Sequence, residues 1–393
     1  MHNLSPHQGG FVTTLKRELQ YYKSDGCECF ISIFILLASM ITVAWIFSSG
    51  TLTNLPIAVI DHDGSSVSRT YSRMLEATPE MHIVDKLSST AEAKKLLEQA
   101  SIYAFVVIPR DFAKDIKTGQ QTTVVAWHSG QFLTMSGVIL KSLRQVTGTM
   151  SAGVKITALS KKGESTLAAN VDFSPLQSEL RTLFNPFQNY QYFLVASLLP
   201  AMLQVFVMIW TVYIVGREFQ NSTFTQWLDA KNNVYAAIAA KVLPLFILAS
   251  CIGIGCLYWL FGYMRWPING SVSFLILGWE LMILAYIVLG LLFASLASRL
   301  ATALSFAVFF TAPAFAYVGI TFPQHAMPLL AKIWAYILPI KTLLRLQVEQ
   351  VEIGAPIVNS LPELLTLIAF ILLPLPLAIN RIRARCSVFK KGR

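Results

Sequence analysis

Six apolar runs punctuate the chain: Phe30 to Phe47, Tyr192 to Val215, Val242 to Phe261, Phe274 to Ala297, Thr302 to Ile320 and Leu361 to Ile379. A helix needs about 20 apolar residues to cross the hydrocarbon core of a bilayer, so each run predicts a transmembrane helix. The first run is just long enough with Cys27 to Cys29 partly immersed. It exceeds the roughly 7–15 residues of a signal-peptide core and no A-x-A site follows it, so it reads as a retained anchor. Ahead of it, Val12, Leu15, Leu19 and Tyr22 recur at helical spacing between Gly9 and Lys23, with Lys16, Arg17 and Lys23 among the polar positions. That pattern predicts an amphipathic helix lying along the membrane surface.

Between the first two runs the texture becomes that of a soluble domain. Leu55 to Ile60 predicts a buried strand, closed by Asp61-His-Asp-Gly-Ser65. Ser66 to Ala77 predicts a helix and Met81 to Lys86 a short strand. Thr90 to Gln99 predicts a helix capped by Thr90, and Ile102 to Ile108 a second apolar strand. Pro109 opens a helix ending at Gly119, and Thr122 to Trp127 is a further strand. Strands alternating with helices of this length predict a small α/β (α+β) layer. Gln131 to Ser160 reads as a long helical stalk or lid, and Leu176 to Phe184 leads back to the membrane. Asp61 and Asp63 read as a turn and helix cap rather than a metal pair, because no third ligand is near in sequence. Later, Phe322 to Ser360 is too apolar for a free loop and too broken by Pro323, Pro328 and Pro339 for a span. Half-inserted helices packed on protein satisfy both facts.

Composition agrees with this pattern. Of the 393 residues 54% are hydrophobic and 13% charged, against about 25% charged in soluble domains. The net charge of +10 suggests nucleic acid only until it is mapped. Short segments on one side of the six spans (residues 1–27, 216–241, Arg299 and 381–393) hold thirteen Lys and Arg, and those on the other side, leaving aside the long domain, hold four. Basic residues collect on the cytoplasmic side for topological reasons, which places both termini inside and the α/β domain outside. Five cysteines include none between Gly50 and Asn189, so that domain has no disulfide framework. No Cys or His cluster has zinc spacing.

Two places carry candidate chemistry. The first is the cytoplasmic stretch Gly216 to Lys241. Arg217 and Glu218 stand where the second span leaves the membrane, and Phe224, Trp227 and Leu228 offer an apolar face beyond them. Aromatics on a short cytoplasmic helix are costly unless a partner covers them. The second is Glu280, inside the fourth span and flanked by Trp279, Met282 and Tyr286. A carboxylate among lipid tails costs roughly 2.5–3.5 kcal/mol, so it faces a substrate path through protein or sits near the outer headgroups.

The layout resembles the ABC type-2 exporter permease family, in particular its bacterial subgroup with a large periplasmic loop. Leu55 to Ser65 is similar to that family's first periplasmic strand and turn. Phe184-Asn-Pro186 followed by Tyr190 and Phe193 resembles its re-entry signature. Arg217-Glu218 with Phe224, Leu228 and Lys241 resembles its coupling loop, although the usual Gly-Thr is here Asn221-Ser222-Thr223. Leu338-Pro339 also fits. The resemblance implies a permease in the bacterial inner membrane, paired with a second copy or a sister permease. It moves a hydrophobic or amphipathic substrate outward, with room for a periplasmic adaptor as a further partner. The chain has no G-x-x-x-x-G-K-[ST], so it is expected to be no enzyme, to bind no cofactor and to rely on ATP-Mg held by a separate cytoplasmic ABC ATPase. The coupling contacts then fall to Arg217, Glu218, Phe224, Trp227 and Leu228, and the substrate path to Glu280, Trp279 and Tyr286.

The expected order is a cytoplasmic amphipathic helix (1–27), a first span (28–49), a periplasmic domain (50–189), a second span (190–215), a coupling loop (216–241), three spans (242–321), an outer re-entrant segment (322–360), a sixth span (361–380) and a basic tail (381–393). A membrane-anchored receptor or adhesion protein is the competing reading. It predicts spans that serve only as anchors, whereas Gly253, Gly255, Gly278, Gly290, Ser295 and Ser298 are the small residues of close helix packing.

Overall fold

The computed structural model describes residues 11–24, 26–118, 120–161, 189–223, 227 and 234–391. The chain forms two compact units, Ser49–Thr182 and the remainder, Met1–Ser48 with Leu183–Arg393.

The smaller unit is built on four strands, β1 (Leu55–Asp61), β2 (Met81–Lys86), β3 (Ala104–Ile108) and β4 (Val125–His128), in the order β2-β1-β3-β4. The first three run parallel and β4 is antiparallel to β3. Helices α3 (Ser66–Glu76), α4 (Thr90–Glu98), α5 (Phe112–Thr118) and α6 (Leu133–Lys161) accompany them. Strand β1 is buried on both faces, which is why its sequence is a continuous apolar run rather than an alternating one. Ile57 and Val59 point into a core with Tyr71, Leu75, Phe112, Ile139 and Leu143. Ala58 and Ile60 point the other way, into a core with Ala93, Ile102 and Phe105. Helix α6 is therefore no free stalk: Ile139, Leu143 and Val146 are core residues, and Tyr71 shares a 2.7 Å hydrogen bond with Thr147.

The turn after β1 behaves as expected. Asp61 accepts from the backbone N–H groups of Asp63 and Gly64 and from the Ser68 hydroxyl, and the helix cap is Ser65. Burial alone would push the Asp61 carboxyl up. The Gly64, Ser68 and Asp63 hydrogen bonds and the nearby Arg69 outweigh it and hold the carboxyl below its ordinary range. Among the described residues no group of three acidic, His or Cys side chains could hold a metal. Two local expectations are corrected. Ser89, not Thr90, caps α4, and α5 starts at Phe112 rather than Pro109, after Asp111 takes a left-handed φ of 59°.

The larger unit is helical. Its elements are α1 (Phe11–Ser24), α2 (Gly26–Ile46), α7 (Tyr190–Gln220), α8 (Val234–Leu257, continued by a π-helical turn Tyr258–Tyr263), α9 (Val272–Leu296), α10 (Leu300–Thr311), α11 (Ala314–Tyr317), α12 (Leu329–Tyr336), α13 (Pro339–Gln347), α14 (Ile357–Leu372) and α15 (Pro374–Lys391). Among the described residues, six helical stretches are long and apolar enough to cross a membrane, and they correspond to the six predicted runs. Helices α7 and α9 are the most enclosed of them. A Cβ on Gly290 of α9 would come within 2.7 Å of Thr211 on α7, so only glycine permits that approach. Gly278 does the same against Leu346 of α13, and Gly253 lies against Trp279, whereas Gly255 faces open space.

Three boundaries differ from expectation. The predicted loop 216–241 is shorter, because α7 runs on to Gln220 and α8 begins at Val234. The segment after Phe322 is a chain of short helices. Pro339 opens α13, whose Leu343, Leu344 and Leu346 are buried, while α12 leaves Leu329, Leu330 and Ile333 exposed. The basic tail is partly structural. Arg385 donates to the carbonyls of Ala294, Ala297 and Ser298, which closes the C-terminal end of α9. The predicted return stretch Leu176 to Phe184 and the Phe184-Asn-Pro186 signature lie outside the described residues.

Candidate functional site

Helix α1 is amphipathic in an unexpected sense. Its apolar residues Phe11, Val12 and Leu19 are exposed, while Thr14 and Glu18 are its buried positions. The polar face is turned into protein because ionic partners wait there. Lys241 of α8 is completely buried, and its ammonium donates 2.7 Å hydrogen bonds to Glu18 and to Glu218 at the end of α7. Arg17 donates to Glu218 at 2.6 Å and Thr223 to its second oxygen at 2.6 Å. Arg217 reaches Glu18 at 3.7 Å and lays its guanidinium over the Tyr21 ring. Three cations thus meet two carboxylates, a balance of +1, with the excess on Arg17, the most accessible of the set. Tyr22 lies beside it. Burial, then Glu18 and Cys29, push its phenol well above the ordinary range, so it stays neutral.

A buried cation costs several kcal/mol in desolvation and persists only where carboxylates surround it. The five charges therefore pin three helices together: α1 through Arg17 and Glu18, α7 through Arg217 and Glu218, and α8 through Lys241.

Trp227 does not offer an open face. It is 1% exposed, its indole N–H donates to the Ala237 carbonyl at 3.0 Å, and Lys241 lies 5.2 Å from its ring centre. The expectation of an aromatic waiting for a partner is corrected here, because the chain itself covers the ring. Phe224 and Leu228 lie outside the described residues.

Glu280 stands eight residues into α9 from Val272, roughly 12 Å along the axis at helical rise. It is half-buried on the seam with α8, and Ser250 donates to it at 2.5 Å. Ile247, Ile254 and Leu277 around that seam are about half exposed. Among the described residues no Lys, Arg or His pairs with it. Trp279 and Tyr286 are closed off inside the helices, at 1% and 0% exposure, and the Tyr286 oxygen accepts from the Ile340 N–H at 3.4 Å. Both are packing residues in this conformation. An apolar cleft of the unit lies elsewhere. It measures 660 Å³ and lies between α2, α7 and α8, walled by Met40, Ile41, Trp45, Leu199, Ile252 and Trp259.

A family model described as ABC-2 family transporter protein matches residues 28–380. The chain belongs to this family. It is 25% identical over 338 residues to a probable multidrug ABC transporter permease, YbhR, of Escherichia coli K12, covering 84% of this chain and 86% of the relative. It is 23% identical over 370 residues to the linearmycin resistance permease protein LnrN of Bacillus subtilis 168, covering 89% and 94%. An ABC-2 permease is a multipass membrane transport subunit, not itself an enzyme, and the family implies an ABC ATPase as working partner.

For this ABC-2 permease, sequence reasoning named Arg217, Glu218 and Lys241 but missed Glu18 and Arg17. One signal was available. Lys241 sits between AAIAA and VLPLFIL, and a lysine in such surroundings requires carboxylates from somewhere.

Proposed function

We propose that the chain is the transmembrane subunit of an ATP-driven exporter of hydrophobic or amphipathic molecules, working as a dimer or with a sister permease in a bacterial inner membrane. Both termini face the cytoplasm, the sheet-bearing unit faces outward, where an adaptor has room to dock, and a separate ABC ATPase holds ATP-Mg. The stretch between α7 and α8 is the coupling element, and Arg217 and Glu218 orient it, with Phe224, Trp227 and Leu228 in the same segment. The observation that carries this reading is the buried ionic cluster around Lys241. It makes the inner ends of α7 and α8 one mechanical piece, so a push on the segment between them becomes movement of two spans. The apolar cleft between α2, α7 and α8 supports the substrate class.

The test uses the permease assembled with its ATPase in lipid vesicles. ATP hydrolysis and ATP-driven uptake of a fluorescent lipophilic dye are both recorded. Glu218→Ala is expected to lower dye-stimulated hydrolysis and uptake about ten-fold while the ATPase still co-purifies. Wild-type rates in that variant would remove the coupling reading.

A further inference from the structure

Glu18 is the feature of the ionic cluster that neither motif nor family description accounts for. It comes from a different part of the chain, 223 residues from the lysine it binds. It is 1% exposed, yet it belongs to a helix whose apolar side chains are exposed. An amphipathic helix held to its membrane only by lipid contacts would turn Glu18 to water. Here the helix is rotated so that Thr14 and Glu18 are buried, Glu18 against Lys241 of α8, and Phe11, Val12 and Leu19 are left exposed. The carboxylate supplies one of the two anions around Lys241, and Glu218 supplies the other. Arg17, on the adjacent position, bonds Glu218 as well. The bonds therefore cross over: α1 reaches α8 through Glu18 and α7 through Arg17. No single helix of the three can shift along its axis without separating a buried charge from its partner.

We propose that Glu18 is a positioning residue of the coupling element. Its bond to Lys241 makes α1 move together with the inner ends of α7 and α8, so movement delivered by the ATPase reaches the membrane surface through α1 as well as the spans. This inference rests on the coupling reading above. It adds a third helix to the moving part and assigns the residue that recruits it.

The experiment follows two spin labels in the full permease–ATPase complex, in a background with the native cysteines replaced by serine. One label is on α1 at Leu19→Cys and the other on α8 at Ala239→Cys, both exposed positions. The stimulus is ATP with vanadate, which holds the ATPase in its closed state. With Glu18 present, both labels are expected to change mobility. With Glu18→Gln, which keeps shape and removes charge, the α8 label is expected to respond as before while the α1 response falls to about half, because Arg17 still bonds Glu218. Equal responses at both labels in Glu18→Gln would overturn the proposal. So would loss of both responses together in a variant that still assembles, because Glu18 would then be supporting the whole site rather than recruiting α1. Should Glu18→Gln fail to accumulate in the membrane, Glu18→Asp is read instead. A partial loss confined to the α1 label supports the proposal, and an unchanged α1 response overturns it. Failure of the coupling reading itself looks different: neither label responds to ATP and vanadate even with Glu18 in place.

Discussion

Glu218 and Glu280 are both carboxylates within helices of bilayer length, and their surroundings are opposite. Glu218 is almost fully buried and touches Arg17, Lys241 and Thr223. Glu280 is half-buried, touches the Ser250 hydroxyl and lies among half-exposed Ile247, Ile254 and Leu277. The first is satisfied entirely from within the chain. It is a structural charge whose functional value comes from what it ties together. The second has no cation beside it in the described part of the chain. A cost of roughly 2.5–3.5 kcal/mol for an acid at membrane depth is offset there by one charge-assisted hydrogen bond, worth about 1.5–3 kcal/mol. Apolar surroundings alone therefore do not say what a membrane acid is for; the deciding fact is whether its counter-charge is inside the chain.

The largest effect that bears on this contrast is expected at Lys241. Lys241→Met removes the buried cation that bridges Glu18 and Glu218, leaving Glu218 to Arg17 and Glu18 to the more distant Arg217. Removing one partner of a buried ionic set costs about 3–5 kcal/mol. The midpoint of thermal unfolding of the detergent-purified chain is the measurement, with a large fall expected. Adding Glu18→Gln to the same chain should recover part of the loss, since the balance returns to +1 and Glu218 keeps its bonds from Arg17 and Thr223. If Lys241→Met alone unfolds within about 1 kcal/mol of wild type, the cluster does not hold the three helices.

Trp227 tests the inward-facing half of the same region at smaller amplitude. Trp227→Phe replaces the bicyclic indole by a smaller single ring, removes the donor to Ala237 and weakens the contact with the Lys241 ammonium. The expected cost is about 1–2 kcal/mol, a hydrogen bond and part of a cation–π contact. It should be visible in the permease purified without its ATPase. Loss of ATPase co-purification with an unchanged unfolding midpoint would instead make Trp227 a partner contact and contradict its burial.

Much of this was legible beforehand, and the reasons differ by element. The run Leu55 to Ile60 announced a doubly covered strand because parallel strands buried on both faces have no reason to alternate. The prolines at 323, 328 and 339 announced the broken segment between α11 and α14. What escaped were pairings between residues distant in sequence. Glu18 lay in a helix whose spacing correctly showed an apolar stripe, but spacing cannot say that the opposite face has an ionic partner. The long helix α6 had the composition of a stalk, and only the positions of Tyr71 and Phe112 make its Ile139 and Leu143 core. The loop 216–241 was drawn too long because its charges looked solvated; once Lys241 and Glu218 neutralise each other, helix can continue through both.

The smallest stability effect is expected at Glu280, and there the contrast is sharpest. Glu280→Leu removes a carboxylate whose membrane cost and single hydrogen bond nearly cancel, and leaves the Ser250 hydroxyl to bond back within its own helix, as other hydroxyls in these spans do, Thr211 to Val207 among them. The unfolding midpoint should shift by the equivalent of about 1 kcal/mol or less, in either direction. Transport is a separate readout. If the carboxyl group meets substrate or lines its path, ATP-driven dye uptake falls several-fold in Glu280→Leu although the protein is as stable as wild type. Glu280→Gln, which can still accept from Ser250, then distinguishes charge from hydrogen bonding: loss in both variants assigns the effect to the charge, and loss in Leu alone to the bond between α8 and α9. A clear drop in stability with unchanged uptake would place Glu280 with Glu218, as a charge that holds helices together, and the difference between the two acids would disappear.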